Sequence, residues 1–227
     1  MTIINDEWKF YDRMIPCNPV NFAVVQNRPI EWIIIHYTGN NRDTAAGNGK
    51  YFQERNVGTS AHYFVDETEI IQSVPLKCRA WHAGNKTYNQ GGIGIEMCCS
   101  GNYIVSEPTK RKVIGLVAKL FKHLGWVADS VEKHLIRHYD VTGKECPRQM
   151  AGPNNSEWEQ FKKDVATAIK GGEPMEKRYQ TVNECPDYAK EAISFMVDRK
   201  VIADGSKLNM TEDMLRMLTF VYRLYKL

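Results

Sequence analysis

The segment Trp32-Ile33-Ile34-Ile35-His36-Tyr37 limits the possible folds of this chain more than any other. It is short, rich in β-branched residues, and bounded by Arg28-Pro29 before it and Thr38-Gly39-Asn40 after it, the pattern of a buried strand. His36 then stands at the C-terminal end of that strand, where sites commonly open. A second histidine, His138, precedes Cys146 within Arg137-His138-Tyr139-Asp140-Val141-Thr142-Gly143-Lys144-Glu145-Cys146-Pro147. Two imidazoles and a thiolate suit zinc, and three protein ligands rather than four leave a position for water, as in catalytic sites. A single histidine ending a strand is more often structural, so the combination carries the reading.

The rest of the chain alternates strands with helices. Residues 44–56 read as a helix capped by Thr44, although Gly47 and Gly49 each weaken it by about 1 kcal/mol. Residues 61–65 and 69–74 read as an antiparallel hairpin across Asp66-Glu67-Thr68. Residues 92–99 read as a central strand whose glycines let another backbone or a ligand approach closely, with Glu96 as its one charged residue. Val113, Leu116, Val117, Leu120, Phe121 and Leu124 recur at helical spacing, and Gly125 stops them. Residues 134–138 read as a short strand feeding a 140–146 loop, and Trp158, Phe161, Val165 and Ile169 share one face of a helix over 156–170. The expected class is α/β, a mixed central β-sheet flanked by helices.

Gly171-Gly172-Glu173-Pro174 breaks the composition, so the expected organisation is a main domain over 1–170, a linker over 171–176 and a small helical module over 177–227. Two helices in that module, over 187–199 and 211–227, bury too little to stand securely alone and should dock on another surface or on a second copy. Its nine basic residues cancel nine acidic ones over 171–227, which argues against purely electrostatic adhesion. Across the whole chain 30 basic residues face 27 acidic ones, too even a balance for a nucleic-acid partner. The start, Met1-Thr2-Ile3-Ile4-Asn5-Asp6-Glu7-Trp8, has acids where a signal peptide needs a basic region, and no run reaches the roughly 18–20 apolar residues of a membrane span. Synthesis in the cytoplasm without a signal peptide, and no membrane insertion, are expected. Six cysteines without a CxxC pair suit a reducing compartment.

The 137–147 string resembles the C-terminal zinc motif of type 2 N-acetylmuramoyl-L-alanine amidases, the family of phage endolysins, prophage wall hydrolases and peptidoglycan-recognition proteins. Ile33-Ile34-Ile35-His36-Tyr37-Thr38 resembles their first zinc strand, Ser60-Ala61-His62-Tyr63-Phe64-Val65 their hairpin, Gly94-Ile95-Glu96 their central strand, and Trp81-His82-Ala83-Gly84-Asn85 a substrate-side segment. The matches keep family order over about residues 30–150, and the set resembles endolysins of Firmicute phages and prophages most. The resemblance implies zinc held by His36, His138 and Cys146, Glu96 as general base, and Lys144 as the group that stabilises the oxyanion. Some phage members use a hairpin tyrosine in place of that glutamate; the aligned position here is Ala61, which favours Glu96. His62 and His82 are the expected substrate contacts; His62 could instead hydrogen-bond a neighbour of a ligand or be an ordinary half-buried strand histidine, and His82, in a loop beside Trp81 and Gly84, could be a surface histidine.

These roles agree with elementary chemistry. A carboxylate on an apolar strand is costly to bury without a partner such as a metal's water, the plain alternative being a salt-bridged core glutamate. Lys144, two residues before a thiolate, can aim its ammonium at developing negative charge, or it is a solvated loop lysine. The reading is hydrolysis of the amide between N-acetylmuramic acid and L-alanine in peptidoglycan by an enzyme that reaches the wall after membrane permeabilisation. Residues 177–227 then serve as a wall-binding or self-association module, giving a possible homo-oligomer, or as an inert extension. One alternative is a non-catalytic peptidoglycan-binding module, disfavoured by the presence of Cys146; another is a structural zinc domain in which Glu96 or His62 supplies a fourth ligand.

Overall fold

The computed structural model describes residues 9–172 and 178–226, with the backbone alone at Glu212 and Asp213. In chain order the strands are β1 (Arg13–Met14), β2 (Phe22–Val24), β3 (Trp32–Tyr37), β4 (Tyr63–Val65), β5 (Ile70–Gln72), β6 (Cys78–Ala80), β7 (Gly92–Met97), β8 (Leu135–Arg137), β9 (Arg178–Tyr179) and β10 (Met210–Thr211). The helices are α1 (Ala45–Glu54), α2 (Lys86–Gly91), α3 (Glu107–Leu124), α4 (Val131–His134), α5 (His138–Thr142), α6 (Ser156–Ile169), α7 (Asp187–Asp198) and α8 (Glu212–Tyr225).

Six strands form one sheet in the order β1-β5-β4-β7-β3-β8. All its neighbours are parallel except the β4–β5 hairpin, which makes the sheet mixed as expected. Side chains alternate across a strand, and the two faces have different tasks. Ile33 and Ile35 of β3, Tyr63 and Val65 of β4, Ile93, Ile95 and Met97 of β7 and Leu135 of β8 enter one core with the apolar stripe of α3 and with Trp158, Phe161 and Val165 of α6. The opposite face is covered at β4 and β5 by α1, where Phe64 and Ile71 meet Ala45 and Phe52. Further along the same face, β3 and β7 present His36, Gly94 and Glu96.

Local chemistry sets the element ends. Thr44 Oγ1 accepts the Gly47 N–H at the start of α1, and Ser106 Oγ accepts that of Thr109 at the start of α3. Gly125 ends α3 in the left-handed region, φ 70°. The expected strand over 134–138 is shorter than read: His134 closes α4, only Leu135–Arg137 is extended, and His138 opens α5. The Asp140 carboxylate takes the Arg137 backbone N–H at 2.8 Å and so turns the chain into a helix at once. Strands β1, β2 and β6 and helix α2 were not anticipated, being too short to show a period.

The chain divides into two compact units, Met1–Pro174 and Met175–Leu227. The second has its own core of Tyr179, Cys185, Ala189, Ile193, Leu208, Met210 and Leu215, closed by the β9–β10 pair and the helices α7 and α8. Most of the expected linker, residues 173–176, lies outside the described residues, as does the N-terminal segment over 1–8. Among the described residues no helix is long and apolar enough to cross a membrane.

Candidate active site

The site is assembled by register. Strands β3 and β7 run parallel with His36 opposite Glu96, so both side chains leave the face turned away from α3 and α6. On its other side β3 pairs with β8, which delivers His138 as the first residue of α5. Arg137 fixes that entry: its guanidinium grips both Asp140 oxygens, at 2.6 and 3.0 Å, and donates to the carbonyls of Met150 and Gly152. The Tyr139 N–H then donates to the Cys146 carbonyl at 2.8 Å, folding the 143–146 turn back on α5.

This brings together three buried donors. His36 Nδ1 lies 3.1 Å from His138 Nδ1 and 3.9 Å from Cys146 Sγ, and all three ligand atoms lie within 4.8 Å of one another. Tetrahedral zinc, with bonds of about 2.0–2.1 Å to nitrogen and about 2.3 Å to sulfur, needs N···N near 3.3 Å and N···S near 3.6 Å as rough values. The donor spacing and the N₂S chemistry fit that ion. Among the described residues the cluster has three donors, so the fourth position is open.

Glu96 stands beside the cluster, half-buried, with Oε2 shut off from solvent and without a hydrogen-bond partner. Burial pushes its carboxyl up to about 8, the Lys144 charge acting against this and Asp43 adding to it. Lys144 itself is exposed, and its charge also lowers the protonation of His36 and His138. Burial above all keeps His36 neutral, as a metal ligand must be. The Cys146 thiol is pushed up to about 12, by burial first and the Glu96 charge second.

The two histidines expected to touch substrate are turned inward. His62 is fully buried: Nδ1 accepts the Gly94 N–H at 3.0 Å, so Nε2 carries the proton and donates to the Cys78 carbonyl at 3.2 Å. With both nitrogens committed it is neither a substrate contact nor a fourth metal ligand, and the expectation for it is corrected. His82 lies against the back of His36, its Nδ1 3.0 Å from His36 Nε2, and its own Nε2 is closed off from solvent without a hydrogen-bond partner. No nitrogen of His82 is left for a substrate in this arrangement. Tyr63 points into the opposite core, as the alternation requires.

Three contributors carried no readable signal. Arg28, which marked only a strand boundary in the sequence, is buried and donates to the Leu76 and Gly92 carbonyls beneath His62 and His82. Asn89 of α2 accepts the backbone N–H groups of His82 and Ala83, at 3.0 and 2.7 Å. Asp43 ties the end of β7 to the start of α1 through the Cys99 N–H and Asn48. Each is an ordinary polar residue until the fold gives it a neighbour.

Residues 26–149 match the Amidase_2 family of N-acetylmuramoyl-L-alanine amidases, more than half of the chain and all of the site. The chain belongs to this family. Among amidases of Bacillus subtilis (strain 168) it is 35% identical to XlyB over 151 residues, which is 65% of this chain and 45% of XlyB, and 35% identical to CwlA over 144 residues, 62% and 50% of the two chains. It thus spans about half the length of these amidases. The catalytic domain of XlyA superposes with a TM-score of 0.56 at 28% identity, covering 67% of this chain and 97% of that domain. PlyL, at 24% identity and the same TM-score, shares the fold. The amidase likeness therefore falls on the first unit and leaves the second to its own reading.

Proposed function

We propose that this chain is a zinc-dependent peptidoglycan hydrolase that cleaves the amide between N-acetylmuramic acid and L-alanine. The observation that carries the reading is the open cluster of His36, His138 and Cys146 beside a carboxylate with an unpartnered oxygen. When bound, zinc supplies a Lewis acid for the scissile carbonyl and makes water nucleophilic near neutral pH. Glu96 takes the proton of the attacking water and returns it to the leaving alanine nitrogen. Its burial keeps its basicity high, and a dication held by the three ligands would bring it down from about 8 towards the working range. Lys144 holds the negative charge that develops on the carbonyl oxygen.

The substrate side is supported by an open cavity of about 270 Å³ lined by Arg79, Trp81, Gly84, Asn85, Lys86 and Asn89. Two cations and an indole face suit an acidic peptide attached to a sugar. Gly84 joins the cavity to the cluster, since a methyl group there would lie 3.9 Å from His138 Nε2. The non-catalytic alternative loses support because all three donors and Glu96 are present. In this reading the chain acts as a phage-type lysin that waits for a separate membrane-permeabilising protein, and residues 177–227 bind wall or self-associate.

Product analysis on purified peptidoglycan tests the reaction. New N-terminal alanine without new reducing sugar is expected; new reducing ends would make the chain a glycosidase, and no product with zinc present would leave a binding module.

A further inference from the structure

We infer that His82 is a positioning residue for the metal centre: its Nδ1 accepts a hydrogen bond from His36 Nε2–H and so fixes the ring orientation and tautomer that present His36 Nδ1 to the ion. The inference rests on the zinc reading above and goes beyond its ligand set.

Four observations converge on it. His36 uses Nδ1 towards His138 and Cys146, which leaves Nε2 to carry the proton, and His82 Nδ1 is 3.0 Å away with the two rings edge to face at 89°. Gly94 is what makes room: a Cβ there would meet the His82 ring at 2.5 Å from Cγ and 2.7 Å from Nδ1, so the ring lies directly on the β7 backbone. The sequence expectation that a β7 glycine admits close approach thus has a definite visitor, a side chain of this protein. His62 holds Gly94 from the other side through its Nδ1, and its own backbone N–H donates to the Gly94 carbonyl at 3.1 Å. Finally, Asn89 pins the His82 and Ala83 backbone, and a Cβ on the next residue, Gly84, would lie 3.9 Å from His138 Nε2. One short segment therefore braces His36 from behind and lies against His138, the arrangement by which protein groups orient ligands and raise their basicity.

Zinc affinity of the full chain, measured by competition with a chromophoric chelator, tests this. His82→Phe fills the space but cannot accept the bond and is expected to weaken zinc binding about 10–100-fold, while His82→Gln, which keeps an acceptor, loses less. Gly94→Ala, which displaces the ring without touching a ligand, should weaken zinc binding in the same direction. If the substitutions prevent folding, the unaltered zinc-loaded chain still decides the matter: long-range ¹H–¹⁵N spectra should show His82 protonated on Nε2 and bare on Nδ1. A proton on His82 Nδ1 would overturn the inference. So would a folded His82→Phe protein with parental zinc affinity, whether its KM or its melting temperature changed instead, since those outcomes belong to a substrate contact or a packing residue. A parental chain that binds no zinc sinks the metal reading as well, and that result is distinct from zinc binding indifferent to residue 82.

Discussion

At the scale of single residues, protonation decides what the site can hold. Cys146 is a thiol in the metal-free protein, pushed up to about 12, and zinc takes the thiolate, so binding must release a proton. Zinc affinity should therefore rise with pH, by about tenfold per unit per proton released, and calorimetry in buffers of different ionisation enthalpy should detect that proton. Cys146→Ser should lose zinc and activity together, whereas Lys144→Ala should keep zinc and lower turnover; equal metal loss in both would contradict the division of roles. Glu96→Gln should keep zinc and lower hydrolysis by about 10²–10⁴. The same substitution has a signature in the metal-free protein. Because folding raises the Glu96 pKa from 4.5 to about 8, its contribution to stability is full below 4.5 and is lost as the pH rises through 8. The Gln variant lacks that loss, so it should gain stability over the parent between pH 4.5 and 8 in chemical denaturation.

At the scale of elements, β7 shows how one strand serves two masters. Its residues 93, 95 and 97 are Ile, Ile and Met in the core, while 92, 94 and 96 are Gly, Gly and Glu on the site face. Strand period alone predicts that division; what the small residues are small for is settled by their neighbours, the His82 ring at Gly94 and the Tyr88 carbonyl with Ile34 at Gly92. Helix α3 has a purely structural task, holding the core face of the sheet in register so that His36, Glu96 and His138 meet on the other. Phe121 is fully buried in it and packs edge to face on Trp126 at 5.1 Å. Phe121→Ala should cost about 3–5 kcal/mol in equilibrium unfolding while leaving kcat of the folded fraction unchanged. A loss of turnover without a loss of stability would place α3 in the chemistry.

At the scale of the molecule, burial of neutral imidazoles ties stability to pH. His62 lies well below its ordinary 6.5 and His82 is lowered to about 3, in both cases by burial first and the Arg28 charge second. The unfolded chain binds these protons more readily than the folded one, so stability is full above pH 6.5 and is lost as the pH falls from there towards 3, by about 1.4 kcal/mol per unit per histidine. Acid titration of the metal-free protein should show that slope, and a His62→Asn protein should show less of it. The two units lead to a separate expectation. A chain ending at Gly172 should still cleave small soluble muropeptides, because the family match and the whole cluster lie within the first unit. It should also bind wall less well or sediment at a different mass; if it matches the full chain in both, residues 177–227 have neither role.

Which residues are chemical and which faces are apolar is legible along the chain, because both are local properties: the strand ending in His36, the lone acid of β7, the stripe of α3 and the 137–147 string are read from neighbours a few positions apart. The sequence also singled out His36, His138 and Cys146, through a resemblance whose motifs fall in family order, and the fold brings those three side chains together. The sequence misplaced His82, since a histidine beside a tryptophan in a loop looks accessible when nothing in the sequence says what lies behind it, and it could not tell a cleft-lining His62 from a buried strand histidine. Only the tertiary structure set His82 on Gly94 and against His36, residues 12 and 46 positions away. Parallel pairing of β3 and β7, with the crossovers between them, decides that contact. Orientation of a side chain depends on the groups packed around it, and those groups are brought there by register, which no local pattern encodes.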